Sequence, residues 1–166
     1  MSRSPTRVLF FCLGNICRSP LAEALFRYHV EQQGRGGDFQ IASAGTSGYH
    51  VGSPPDPGSV RVARERLGLD ISDQRAQQLD STHLQSFDYL VAMDRSNLRN
   101  AERLEGASKA NLLLFRDFEP DSSQRGGDVP DPWGGGADHF EKVYDIVDRC
   151  SRSFLDHILQ NEGLEP

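Results

Sequence analysis

The residue types best suited to chemistry stand together near the amino end, as Cys12-Leu13-Gly14-Asn15-Ile16-Cys17-Arg18-Ser19. A cysteine, five residues, an arginine and a hydroxyl residue follow one another there. Backbone N–H groups of a tight loop that leads into a helix converge on one point and favour an anion. Arg18 adds a planar guanidinium able to grip two phosphoryl oxygens at once. The same positive field favours an ionised sulfur at Cys12. Gly14 and Asn15 tolerate the positive φ angles that would turn amides inward. Leu13, Gly14, Asn15, Ile16, Cys17 and Arg18 thus form a candidate phosphate cradle. Cys12 is a nucleophile placed for phosphorus.

Two elements must hold that loop. Arg7 to Phe11 is a continuous apolar, β-prone run and predicts a strand buried on both faces. Ser19-Pro20 reads as an N-cap followed by proline at the first helical position, opening a helix to about Gln33 that Gly34 ends. A second strand over Phe39 to Ser43 completes a right-handed βαβ unit. Asp56 caps a helix from Pro57 to Leu67, and Gly68 stops it. Strands are expected at Asp88 to Met93 and Leu112 to Phe115, with a helix at Ser96 to Leu104 between them. The stretch from Asp117 to Ala137 has the look of a long functional loop. Asp138 and Glu141 suggest a capping box for a last helix, whose apolar face carries Phe140, Val143, Val147, Cys150, Phe154 and Ile158. The alternation predicts one α/β domain over 1–166. It is a three-layer sandwich, with a four-stranded parallel sheet, helices on both faces and the binding loop after the first strand.

Composition narrows the function classes. The 166 residues fit one domain, with 37% hydrophobic and 25% charged residues, as a soluble globular chain has. No apolar run approaches the roughly 18 residues of a membrane span. The short apolar segment after Met1 to Arg7 lacks a cleavage signal, so secretion is not expected. A net charge of -6 argues against nucleic-acid binding. Three cysteines are too few for a disulfide framework or a four-ligand zinc site, which favours a reducing cytoplasm. The five histidines share no ligand spacing and read as surface or helix residues.

The segment Cys12 to Pro20 resembles the signature loop of the low-molecular-weight protein tyrosine phosphatases. The likeness extends to Ser43-Ala44-Gly45-Thr46, the Gly52 to Pro57 loop, Met93-Asp94 with Ser96-Asn97-Leu98, and Asp131-Pro132. It implies hydrolysis of phosphotyrosine and small aryl phosphates through a cysteinyl-phosphate on Cys12. Arg18 would bind the phosphate and the transition state, and Asp131 would serve as general acid, then base. Asn15, Ser19, Ser43 and Asp94 would support the loop. Tyr49 and Trp133 would wall the phenyl ring. The implied partner is a phosphotyrosine protein, a tyrosine kinase being one candidate, with inorganic phosphate as product. No metal or cofactor is implied, and monomer is the default state.

The chain departs from the family pattern at two places, three residues in all. Trp133-Gly134 stands where many relatives have two tyrosines. Gln74 stands where many have a histidine paired with the acid at Asp94. Cys17 has two readings, packing under the loop or a reversible disulfide with Cys12. Two other functions share the loop. An arsenate reductase of this fold would need relay cysteines, and none lies between Cys17 and Cys150. A non-catalytic phosphate-binding module would bind without turnover.

Overall fold

The computed structural model describes residues 3–164; the first two and last two residues of the expected 1–166 domain lie outside the described residues. Four strands form one parallel sheet: β1 (Thr6–Cys12), β2 (Phe39–Gly45), β3 (Tyr89–Ala92) and β4 (Leu112–Leu114), in the order β2-β1-β3-β4. The chain leaves β1 toward β2 on one side and later returns to β3 on the other. The carboxyl end of β1 is therefore the switch point, where open sheets bind ligands.

Period-two alternation sorts β1 between two cores. Val8, Phe10 and Cys12 face helices α1 (Arg18–Gln32), α2 (Pro57–Leu67) and α5 (Ala137–Asn161). Leu9 and Phe11 face α3 (Ser81–Ser86) and α4 (Arg95–Glu102), through Leu84 and Ala101. The result is the expected sandwich with helices on both faces. Cys12 falls on the α1 side by that alternation. Beneath it an aromatic cluster fixes α1 and α5 against the sheet, with Phe10–Phe26 centroids 5.3 Å apart and Phe26–Phe154 at 5.5 Å.

Local signals held in part. Asp56 accepts from the Gly58 amide at 2.8 Å, and Gly68 ends α2 in the left-handed region at φ 67°. Ser19 is not an N-cap. Cys17 occupies that place without a side-chain cap bond, and Ser19 is the second helical residue. Its hydroxyl is used elsewhere, as described below. The expected Asp138–Glu141 box does not form either: Gly136 caps α5, and Asp138 lies in the first turn, where its charge suits the helix dipole. The short helix α3 was not foreseen. Asp80 and His83 close a capping box on it, a signal too brief for apolar periodicity. The 117–137 stretch is not wholly irregular, since short 3₁₀ turns occupy Phe115–Phe118 and Ser122–Gln124. His29 is a helix residue of α1 and is buried there, its Nε2 lying 2.7 Å from Asp148 Oδ1 on α5.

Glu119 is the charge that ties the long loop to α5. Its carboxylate is buried yet bound by Arg116 Nε at 2.7 Å and by Arg149 Nε at 2.6 Å. Burial opposes its ionisation, but the two arginines prevail and hold the carboxyl below its ordinary range. A lowered carboxylate stabilises the fold above the unfolded value, and that contribution disappears as pH falls through the folded one. Glu119→Gln is expected to cost on the order of 2 kcal/mol at pH 7, by removing the buried carboxylate to which Arg116 and Arg149 donate. The penalty should shrink as pH falls below the ordinary glutamate value of about 4.3, where the unfolded chain takes up the proton first, and vanish only below the lowered folded value. Chemical denaturation at pH 7 and at pH 3.5 checks this; an equal penalty at both would contradict the ionic role.

Candidate active site

Cys12 ends β1 and Arg18 begins α1, so five residues must reverse the chain between them. Four carbonyls of this loop point outward and are held there. The Cys12 carbonyl accepts from the Thr46 amide at 2.9 Å. That of Leu13 accepts from the Ser47 amide at 2.9 Å, Ile16 from the Asp56 amide at 2.7 Å and Cys17 from Ser59 Oγ at 2.9 Å. In a planar trans peptide the next N–H points opposite to the carbonyl. The amides of Leu13, Gly14, Cys17 and Arg18 are therefore directed inward. A ring of N–H groups facing one centre is an anion site.

Asn15 makes the turn possible. It alone among the described non-glycine residues has a positive φ, 58°. Its side chain fixes that conformation: Nδ2 donates to Ser19 Oγ at 2.8 Å and to Ser43 Oγ at 3.0 Å, while Oδ1 accepts from the Gln77 amide at 3.0 Å. Gly14 has no positive φ, contrary to expectation. A Cβ there would meet His50 Cδ2 at 2.9 Å, so close packing explains the glycine. Gly45 is tighter still. A Cβ on it would stand 2.7 Å from the Leu13 carbonyl oxygen and 3.0 Å from the Asn15 nitrogen, both backbone atoms of the loop.

The hydrogen-bond chain behind the loop has a direction. Ser43 Oγ donates to Glu23 Oε1 at 2.8 Å, so it accepts from Asn15. Ser19 Oγ likewise accepts from Asn15. Its own proton is left for Cys12 Sγ at 3.0 Å or for the Ala44 carbonyl at 3.3 Å. A hydroxyl so arranged stabilises a sulfur anion.

Arg18 is buried beside that sulfur. Nη1 donates to Asp94 Oδ2 at 2.7 Å and to the Val129 carbonyl at 2.9 Å. Nη2 has a longer contact to Asp131 Oδ2, at 3.8 Å. Nε is buried without a partner. The Nε–Nη2 edge is the one a phosphoryl group would take in a fork-like grip. Burial opposes the charge of Arg18, but the Cys12 sulfur, then Asp94 and Asp131, outweigh it and hold the guanidinium above its usual value. Cys17 behaves differently: burial first, then Asp56 and Cys12, push its thiol up, so it stays protonated. Its sulfur and those of Cys12 and Cys150 are free.

Above this floor opens a cavity of about 210 Å³, with Leu13, Tyr49, His50, Asp131 and Trp133 around its mouth. The Asp131 carboxylate is half exposed and oriented by an Asx turn, its Oδ1 accepting from the Trp133 amide at 3.1 Å. Every residue expected at the site thus lies in it or directly behind it, with one exception in role. Gln74 does not share a network with Asp94. Its Nε2 donates to the Pro20 carbonyl at 3.2 Å, whereas Asp94 binds Arg18 and caps α4. Sequence reasoning missed Glu23, Gly45, Ser59 and the Val129 carbonyl. The Asp56 cap was the available hint to Ser59, since it sets the first turn of α2 against the loop. Among the described residues no group of three or more His, Cys, Asp or Glu is placed to hold a metal ion.

The model of the family described as low molecular weight phosphotyrosine protein phosphatase matches residues 7–163. A protein of that name from Schizosaccharomyces pombe is 42% identical over 155 residues, covering 92% of this chain and 96% of its own. Its Homo sapiens namesake is 40% identical over 152 residues, covering 90% and 93%. The crystal structure of YfkJ from Bacillus subtilis superposes with a TM-score of 0.87 at 34% identity, covering 98% of this chain and 99% of that one.

Gly45→Ala should force the loop away from β2 while leaving the cores intact. Turnover of an aryl phosphate is expected to fall by about 10²-fold, as a displacement near 1 Å does to reacting groups. Steady-state kinetics alongside a melting curve check this; unchanged activity would show that the close approach is not needed.

Proposed function

The chain belongs to the low molecular weight phosphotyrosine protein phosphatase family, and on that footing we propose how its own residues divide the hydrolysis of phosphotyrosine. The Cys12 thiolate attacks phosphorus. The S–P bond forms as the bond to the phenolic oxygen breaks, and Asp131 gives that oxygen its proton. The inward amides and the open edge of Arg18 hold the equatorial oxygens through the transition state. Asp131, now a carboxylate, takes a proton from water as the water attacks phosphorus. Orthophosphate leaves, and Cys12 is again a thiolate, stabilised by the Ser19 hydroxyl. Tyr49 and Trp133 flank the ring of the substrate.

The observation that carries this reading is the cavity floor: the Cys12 sulfur and the unpartnered edge of Arg18 lie together beneath inward-turned amides. The burial of Cys12 and Arg18 in that floor favours a phosphotyrosine, whose phosphate stands far from its backbone, over a phosphoserine. An arsenate reductase is disfavoured because Cys150 is fully buried on α5, away from any relay. A binding-only module is disfavoured because Asp131 completes an acid–nucleophile pair.

Substrate identity is read at the class level, as a phosphotyrosine protein with a tyrosine kinase as one candidate. We assign the 1–166 chain to one domain acting as a monomer. Three free thiols suit a reducing compartment such as the cytoplasm. Among the described residues no helix is long and apolar enough to cross a membrane.

Cys12→Ser is expected to abolish turnover of p-nitrophenyl phosphate while orthophosphate still binds, because the amide ring and Arg18 remain. Calorimetry with orthophosphate and a turnover assay test it; residual turnover of wild-type character would remove the nucleophile. Asp131→Ala should lower kcat/KM by about 10²–10⁴ for phosphotyrosine. The loss should be smaller for esters with more acidic leaving groups. Equal losses across leaving groups would remove the acid role.

A further inference from the structure

Large apolar side chains are almost all interior, and the exceptions are not scattered. Among the described residues those exposed are Leu13 at 45%, Tyr49 at 87%, Val51 at 58% and Trp133 at 65%. Leu13, Tyr49 and Trp133 line the cavity mouth. Val51 stands two residues beyond Tyr49 on the same loop, which the Gly52 amide fastens to the Ala76 carbonyl at 2.9 Å. Exposed apolar groups gathered at one place mark an interaction surface. Three of the four side chains belong to the proposed phosphotyrosine pocket and Val51 adjoins it through its loop, and a single aryl ring is too small to cover them all.

The charges at the mouth point the same way. The charged or titratable side chains lining the cavity are Arg18, Tyr49, His50 and Asp131, besides the cysteines. Arg18 is buried and directed to the phosphate. No lysine and no second arginine is among the lining residues. An acidic stretch beside the phosphotyrosine would approach a chain of net charge -6 with no lysine or second arginine at the cavity to receive it.

We infer that this apolar collar reads the residues flanking the phosphotyrosine, and that the substrate class is a phosphotyrosine segment with apolar neighbours. The inference rests on the phosphatase reading above. Specificity then comes from two sources, covering of the collar and the lack of a lysine or second arginine among the cavity-lining residues.

The test is a set of three substrates at one pH and salt: a phosphotyrosine peptide with leucine and valine flanks, the same peptide with glutamate flanks, and p-nitrophenyl phosphate. The apolar peptide is expected to show a kcat/KM about tenfold above the acidic one, the effect of covering roughly one further aliphatic side chain. Val51→Ser should raise KM for the apolar peptide roughly threefold, about half that free-energy difference. It should leave p-nitrophenyl phosphate kinetics unchanged, because Val51 does not line the cavity. An acidic peptide cleaved as well as the apolar one overturns the inference, as does a Val51→Ser variant that leaves the peptide KM unmoved. Failure of the wild-type protein to turn over p-nitrophenyl phosphate would instead remove the phosphatase reading, and the inference with it.

Discussion

A buried guanidinium is tolerable only when its donors are taken up, and the arrangement around Arg18 leaves one edge of it unfilled. Asp94 and the Val129 carbonyl hold Nη1, which fixes the plane of the group. Nε has no partner, and Nη2 has only a long contact to Asp131. A positive charge so placed beside a sulfur lowers the free energy of any anion that shares the space. The rest of the fold can be understood as support for that imbalance. β3 delivers Asp94 just past its end, the long loop delivers Val129, and α1 begins with Arg18 itself.

The second constraint is directional. The loop turns its carbonyls outward only because β2 and α2 present donors to them. Those donors are the amides of Thr46 and Ser47 past β2, and Asp56 and Ser59 at the start of α2. Gly45 lets β2 come close enough to supply them. Asn15 then converts a left-handed backbone angle into a fixed feature by spending its amide group on three partners. Charge and backbone geometry are thus secured by different parts of the sandwich, one on each side of β1. The strongly charged floor and the apolar collar divide labour similarly, the floor acting on phosphate and the collar on what surrounds it.

Much of this was legible in the residues. The buried strand, the cysteine–arginine spacing and the following helix gave the loop its place at the switch point before any coordinates. The late Asp131-Pro132 pair entered through the family resemblance, since spacing alone reads an aspartate before proline as a turn former. It is in fact both, because the Asx turn to Trp133 aims the carboxylate. What escaped was contact made by backbone or by small residues. Ser19 looked like a helix cap because serine before proline usually is one. Here its hydroxyl is drawn to the Cys12 sulfur, and the helix starts two residues earlier with its N-terminus facing the anion site. Gly14 looked like a φ-driven glycine, but the ring of His50 needs the room. Gly45 entered only within the Ser43-Ala44-Gly45-Thr46 likeness and Ser59 carries no pattern of its own, for the meaning of both depends on a neighbour distant in sequence. The expected tie between position 74 and Asp94 also dissolved, because Asp94 is already committed to Arg18 and to the amide of Asn97.

The central claim is that the Cys12 sulfur on this floor becomes bonded to phosphorus during turnover. The most direct measurement is phosphorus NMR on protein quenched during turnover of an aryl phosphate, followed by peptide mapping. A thiophosphate resonance, with the phosphoryl group on the peptide bearing Cys12, is the predicted result. Turnover with no phosphorus–sulfur species, or a phosphoryl group found on another residue, would contradict the account.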